Sequence, residues 1–298
     1  MNANYITPSV TLFDEQGNLD FKSQGKLFDH LIESNIDGIL ILGSIGEFYA
    51  LSLETRKAYM QFAHAHIKNR TRLIVGTTSL VFDEIISFSN DCLDLGVDAV
   101  MILPPYYSAM DSSAVYLYYS RLSKEIHGNI YMYNFPDRTG YSMDPETVAR
   151  LAHDCPNIIG IKDTIPGFGH TRELIKLIKP SRPEFEIYSG FDDNCAHNVL
   201  AGGNGCIAGL SNVFPEICHA WVCALRNNDM PSVSKYQKII NELFDIYSVA
   251  PSLVPVIKEG VRLRGLCASH HSTFPVENLT HEQCERVKEI VEYAIKQK

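Results

Sequence analysis

Two hydrophobic patterns alternate along this chain. One is a short, continuous apolar run rich in β-branched residues. These runs fall at 5–13 (YITPSVTLF), 37–44 (DGILILGS), 72–79 (RLIVGTTS), 97–105 (VDAVMILPP), 129–136 (NIYMYNFP), 157–164 (NIIGIKDT), 185–191 (FEIYSGF) and 204–212 (NGCIAGLSN). Continuity rather than alternation marks strands buried on both faces. The other pattern is a helical stripe. Residues 22–35 align Leu27, Phe28, Leu31 and Ile32, and residues 81–95 place Phe82, Ile85, Ile86, Phe88 and Leu93 around a mostly buried helix. Ser52 reads as an N-cap for a helix over 53–68, with Thr55 and Arg56 behind it, and Asp144-Pro145-Glu146 as cap, first-turn proline and first-turn acid.

Eight strands alternating with helices predict an α/β fold, a (β/α)8 TIM barrel. A doubly wound open sheet usually has about five to seven strands and a glycine fingerprint after the first, which this chain lacks. Beyond the eighth unit, residues 215–227, 231–248, 251–265 and 280–296 read as helical, with Pro231 and Pro251 as helix starts. The last three exceed what a barrel needs. The expected organisation is a catalytic barrel over 1–227 and a C-terminal helical extension over 228–298.

Composition narrows the partners. The chain has 298 residues, 45% hydrophobic and 20% charged, with a net charge of −9. Such a surface repels a phosphate backbone, so no nucleic-acid partner is expected. MNANYITPSV is too short and polar for a secretion signal, and no apolar run approaches the roughly 20 residues that span a bilayer. No membrane association and a cytoplasmic location are expected. The eight cysteines show no disulfide framework: Cys195 and Cys206 are eleven apart, Cys218 and Cys223 five apart, and no CxxC occurs, so reduced thiols are expected. His64 and His66, two apart on a helix, share no face and make a poor metal pair, and His270-His271 reads as a solvated loop. No metal site is expected. GGNG (202–205) precedes the eighth strand, on the stability face of a barrel, and reads as a tight turn. VYLYYS (115–120) and Trp221 read as packing.

The chemistry gathers at the C-terminal ends of the strands, where barrels place active sites. Lys162 ends the sixth run. It either snorkels or pairs with Asp163, or it is a Schiff-base nucleophile, since a neutral amine attacks a carbonyl. Tyr133 ends the fifth run and can move a proton beside it. Ser44, flanked by Gly43 and Gly46 after the second run, offers a hydroxyl and free backbone N–H groups suited to a carboxylate.

GSIGEF (43–48), PPYY (104–107), YNFPDRTG (133–140), GIKDT (160–164) and the YSGFDD and GGNG pair (188–193, 202–205) together resemble the pyruvate-dependent class I aldolases. That family includes dihydrodipicolinate synthase, N-acetylneuraminate lyase and the 2-keto-3-deoxygluconate aldolases. The resemblance spans nearly the whole chain in order. It implies that Lys162 forms an imine with the C2 carbonyl of pyruvate or a 2-oxo acid and that Tyr133 is the acid/base. Ser44 with the Ile45 N–H would bind the carboxylate. Tyr107 would enter a neighbouring subunit's site and complete a hydroxyl relay, and Ile207 would present a backbone carbonyl. No cofactor beyond the covalent imine is implied, and the expected assembly is a homotetramer, a dimer of dimers.

The synthase normally carries two threonines where this chain has Ser44-Ile45, which points to the 2-keto-3-deoxy sugar acid aldolases. Thr164, Gly190, Asp192 and Asp193 resemble positions that hold substrate hydroxyls in sialate lyase, and the resemblance implies contacts for a polyol tail; Asp192-Asp193 also reads as a helix N-cap. Arg138 resembles the residue with which the synthase grips an aldehyde's carboxylate; its competing reading is a salt bridge to Asp137 or Glu146. The expected function is a lyase that reversibly cleaves a 2-keto-3-deoxy sugar acid to pyruvate and an aldehyde. The main alternative is dihydrodipicolinate synthesis from pyruvate and aspartate semialdehyde. N-acetylneuraminate lyase, a 2-keto-3-deoxy acid dehydratase and a non-catalytic 2-oxo acid sensor are further alternatives.

Overall fold

The computed structural model describes residues 1–297. Eight strands pair in chain order and close into a barrel: β1 (Asn4–Pro8), β2 (Gly38–Ile41), β3 (Arg72–Gly76), β4 (Ala99–Ile102), β5 (Ile130–Asn134), β6 (Ile158–Asp163), β7 (Glu186–Ser189) and β8 (Gly205–Ile207). The pairs run parallel, with Ile6 opposite Gly38 and Lys162 opposite Tyr188. Every residue of β2, β5 and β8 is buried, as continuous apolar strands require.

Each strand is shorter than its apolar run and lies within it, except β1, which begins one residue earlier at Asn4. β8 ends at Ile207, and Gly209–Asn212 then coils into a fully buried 3-10 turn. β2 ends where Leu42 takes a positive φ of 55°. Rim segments leave the ladder yet stay buried, so their apolar character continues past the last paired residue. The GGNG stretch is a turn before β8: Gly202 and Gly205 have φ of 103° and 112°, and a Cβ on Gly205 would lie 2.0 Å from the Asn4 carbonyl oxygen.

Local capping chemistry starts the helices. Asp20 caps Phe21–Glu33, Ser52 caps Leu53–Ile67 by accepting from the Thr55 N–H, and Asp144 caps Pro145–Asp154. The C-terminal stretches form Pro215–Arg226, Met230–Phe244, Leu253–Leu263 and His281–Ile295. Pro231 lies one residue inside its helix. Pro251 does not start one: it precedes Ser252, the cap of Leu253–Leu263. No single helix among the described residues is long and apolar enough to cross a membrane.

Contacts group the chain into two compact units. One is Met1–Asn4 with Ile74–Ile207; the other is Tyr5–Leu73 with the chain from Ala208 on. The C-terminal helices share a unit with residues 5–73, and neither unit has its boundary at residue 227.

The second unit contains a fully buried ion pair between Glu47 and Lys258. Glu47 follows the Ser44–Gly46 turn in a left-handed conformation (φ 57°). Its second oxygen accepts from the Thr273 N–H (2.7 Å) and hydroxyl (2.8 Å). Lys258 also donates to the His271 carbonyl (2.8 Å) and lies over the Phe13 ring, 4.4 Å from its centroid. Burial pulls this lysine below its usual range against the opposing pull of Glu47. These bonds tie the Ser44 turn to the Leu253–Leu263 helix and to residues 271–273. Lys258→Met leaves a buried carboxylate without its cation and should destabilise the fold by about 3–5 kcal/mol. Glu47→Gln with Lys258→Met should recover part of that loss. Urea unfolding midpoints measure both; an unchanged midpoint in the single variant would exclude a structural role for the pair.

Candidate active site

The site is built on the register between β5 and β6, where Tyr133 stands opposite Lys162 and Asn134 opposite Asp163. Successive strand residues face opposite ways. Tyr133 and Lys162 therefore share one face, and Asn134 and Asp163 share the other. Tyr133 and Lys162 are both buried, and the Lys162 Nζ rests 4.6 Å from the Tyr133 ring centroid. Lys162 belongs to no ion pair among the described residues.

Asp163, the alternative partner for Lys162, is committed elsewhere. Its Oδ1 accepts from Asn134 Nδ2 (2.8 Å), and its Oδ2 accepts from the Thr171 hydroxyl (2.6 Å) and faces His170 Nδ1 (2.9 Å). The Lys162–Asp163 salt bridge is thus excluded: neighbours on a strand cannot share a face.

Two residues past the lysine, Thr164 is buried and its hydroxyl finds no partner. Gly190 lets it sit there, because a Cβ at that position would lie 1.8 Å from Thr164 Oγ1. The two backbones are fixed by Thr164 N–H to Asn134 carbonyl and Gly190 N–H to Asp163 carbonyl bonds, each 2.8 Å. Asp192 is buried, whereas Asp193 reaches the surface with a carboxyl raised by partial desolvation. The N-cap reading of this pair fails. Both lie inside a 3-10 turn, and the caps fall on Phe191 and Asn194 without side-chain bonds.

Arg138 lies on the short Pro136–Thr139 helix after β5 and is exposed. It forms no salt bridge with Asp137 or Glu146. Its guanidinium donates to the Asp137 backbone carbonyl (3.4 Å) and covers Phe135 at 5.2 Å; Phe135 in turn stacks on Tyr133 at 5.9 Å. Tyr107, in the loop after β4, is 92% exposed, and Ile207 ends β8 fully buried.

Ser44 and Ile45 form a 3-10 turn after β2 with Gly46, whose carbonyl accepts from the Thr11 hydroxyl at 2.7 Å. They belong to the unit containing residues 5–73, while Lys162, Tyr133, Tyr107, Arg138, Thr164, Gly190, Asp192, Asp193 and Ile207 belong to the other. Within that other unit the structure brings Lys162 onto Tyr133, Arg138 onto Phe135, and Thr164 onto Gly190.

Several residues escaped the sequence. Glu47 appeared only inside GSIGEF, and Lys258 fell unremarked in the helical stretch 251–265. His170 and Thr171 follow the glycine-bearing loop PGFG without any motif. His270 and His271 are half-buried rather than solvated, and His270 Nδ1 sits 3.0 Å from the Glu259 carboxylate. His66 pairs with Asp29 at 3.0 Å. Among the described residues no group of three or more His, Cys, Asp or Glu could hold a metal ion, and the eight cysteines form no disulfide.

The model of the dihydrodipicolinate synthetase family matches residues 1–294. YagE of Escherichia coli K12, provisionally named a 2-dehydro-3-deoxy-D-gluconate aldolase, is 32% identical over 287 residues, covering 96% of this chain and 95% of YagE. The crystal structure of YagE in complex with pyruvate superposes with a TM-score of 0.94 over 98% of both chains at 31% identity. The 4-hydroxy-tetrahydrodipicolinate synthase of Kosmotoga olearia is 32% identical over 288 residues, 96% of each chain. Family model, sequence relatives and barrel agree over essentially the whole length: this chain belongs to the dihydrodipicolinate synthetase family.

Proposed function

We propose that this protein is a class I lyase that reversibly cleaves a 2-keto-3-deoxy sugar acid into pyruvate and an aldehyde through an imine on Lys162. The observation that carries this reading is the Lys162 amine resting on the Tyr133 ring, in no ion pair, while the adjacent Asp163 is saturated by other donors. An amine outside an ion pair remains available to attack a carbonyl. The name of YagE and its crystallisation with pyruvate support the same chemistry.

In the cleavage direction Lys162 condenses with the C2 ketone and releases water. Tyr133 takes the C4 hydroxyl proton as the C3–C4 bond breaks, and the electron pair moves into the protonated imine. The resulting enamine is protonated at C3, and hydrolysis frees pyruvate and regenerates the amine. Ser44 and the Ile45 N–H hold the C1 carboxylate, and the Ile207 carbonyl lies beside C1–C3. Thr164, Gly190, Asp192 and Asp193 receive the hydroxylated tail. The unpartnered Thr164 hydroxyl supports this, because a buried hydroxyl without a partner costs about 1–3 kcal/mol until a ligand supplies one. The chemistry calls for no resident cofactor.

Tyr107, 92% exposed on the isolated chain, acts in a neighbouring subunit's site. The working form is then at least a dimer, a dimer of dimers on the family pattern, and the location is the cytoplasm.

Arg138 favours a second reading, the synthase reaction with aspartate semialdehyde. Its guanidinium is exposed and free of carboxylates, which suits an acidic aldehyde, and the Kosmotoga relative carries the synthase name.

Borohydride reduction with pyruvate, followed by peptide mapping, should leave a pyruvyl adduct on Lys162. Lys162→Ala should give neither adduct nor turnover; substantial residual activity would end the imine mechanism. Tyr133→Phe should lower kcat by about 10²–10⁴-fold, measured at saturating substrate. Arg138→Ala should raise KM for aspartate semialdehyde by about tenfold more than for glyceraldehyde, and equal effects would remove its carboxylate role.

A further inference from the structure

Behind the Lys162–Tyr133 face lies a second cluster, and it connects the catalytic strands to the segment that carries Arg138. Asp163, whose side chain is fully buried, collects Asn134, Thr171 and His170. His170 continues onward. Its Nδ1 faces the Asp163 carboxylate at 2.9 Å, and its Nε2 faces the Met143 carbonyl at 2.7 Å. Both partners are pure acceptors, so only the doubly protonated ring satisfies the two contacts. Asn134 holds the other side of Met143, its Oδ1 accepting from the Met143 N–H at 3.0 Å.

Met143 is thus gripped at both its N–H and its carbonyl by residues fixed to β5 and to Asp163. Residues 135–142 leave from Asn134 and return to Met143, and Arg138 lies between. One node sets both ends of that excursion. Further bonds stiffen it: the Thr139 hydroxyl donates to the Tyr141 carbonyl (2.6 Å), and Tyr141 OH to the Pro105 carbonyl (2.7 Å).

We infer that His170 is a positioning residue: its imidazolium bridges Asp163 to Met143 and thereby fixes the segment that presents Arg138 to the aldehyde part of the substrate. The kinetic part rests on the role proposed above for Arg138; the structural part does not. The charge has support of its own. Burial opposes it, but the hydrogen bond and charge of Asp163 prevail and hold the imidazole above its usual value. The carboxylates facing His170 are Asp163 from β6 and Asp144 from the cap of Pro145–Asp154. A raised histidine value means the bridge is complete at lower pH and is lost as pH rises through it. The neutral ring keeps one donor, leaving one acceptor unmatched.

His170→Asn is the test, with wild type beside it. Hydrogen exchange by mass spectrometry at one fixed pH should show faster exchange in peptides covering 135–143 and unchanged exchange in β6. Pyruvate trapping by borohydride should stay at the wild-type level, while KM for aspartate semialdehyde rises about tenfold. In an Arg138→Ala background, His170→Asn should add no further rise. In wild type, KM for aspartate semialdehyde should climb from about pH 6 to 9, and that climb should vanish in the variant. Unchanged exchange over 135–143 would overturn the inference. So would equal losses in trapping and aldehyde kinetics, which would make the node a general support. Should the variant fail to fold, a flat wild-type KM profile across that range would overturn it equally. Failure of trapping in wild type would instead strike the lysine mechanism, and faster exchange with unaltered aldehyde KM would strike the role of Arg138 and with it the kinetic part.

Discussion

The pairing of Tyr133 with Lys162 across β5 and β6 is the constraint on which the rest of this site depends. A β-ladder fixes side-chain direction with a period of two, so one register decides four residues together. With this register the phenol and amine share a face, and the amide of Asn134 and the carboxylate of Asp163 share the other. A slip by one residue would put Lys162 where Asp163 is saturated with donors and would turn the carboxylate toward the face that now carries Lys162. Gly160 guards the register. A Cβ there would lie 2.6 Å from both the Glu186 carbonyl oxygen and the Tyr131 ring, so the three strands meet in this alignment only around glycine.

The buried charges show what that arrangement accomplishes. Burying an ion is costly unless it is paired and hydrogen-bonded. Glu47 has Lys258 and Thr273, Lys258 has Glu47 and the His271 carbonyl, and Asp163 has Asn134, Thr171 and His170. Each is saturated and therefore inert. Lys162, buried to the same degree as the core, has the Tyr133 ring instead. A lysine meant for stability would resemble Lys258. The two buried lysines differ in their partners far more than in their sequence contexts: Lys258 is held in an ion pair, and Lys162 is in none among the described residues.

That difference was only half legible in the sequence. The strands were, because burial on both faces leaves a continuous apolar signature, and the strand-end positions of Lys162, Tyr133 and Ser44 followed from them. Strand ends were not, since rim residues such as Gly209–Asn212 stay buried after the ladder stops. The pairing of Glu47 with Lys258 was invisible, because 211 residues separate them and no local pattern encodes the contact. Asp163 looked like a partner for Lys162 only while the strand was treated as a line of letters; its pleat forbids the contact. His170 sits in a helix's first turn after a loop with no motif, and its importance arises only from where Met143 returns to β5 and β6.

Thr164 marks where the molecule departs from what stability alone would select. Valine has nearly the same shape and would fill the same space with no hydroxyl to satisfy. The fold instead keeps a buried hydroxyl without a partner, two residues past the lysine, and places glycine at 190 so that the hydroxyl fits. A packing role explains the methyl group but not the oxygen. In the proposed reaction an oxygen of the substrate's tail would supply the missing partner. Thr164 follows β6 directly, two residues past Lys162, so in the proposed reaction one short stretch of chain would serve both the reacting ketone and its polar tail.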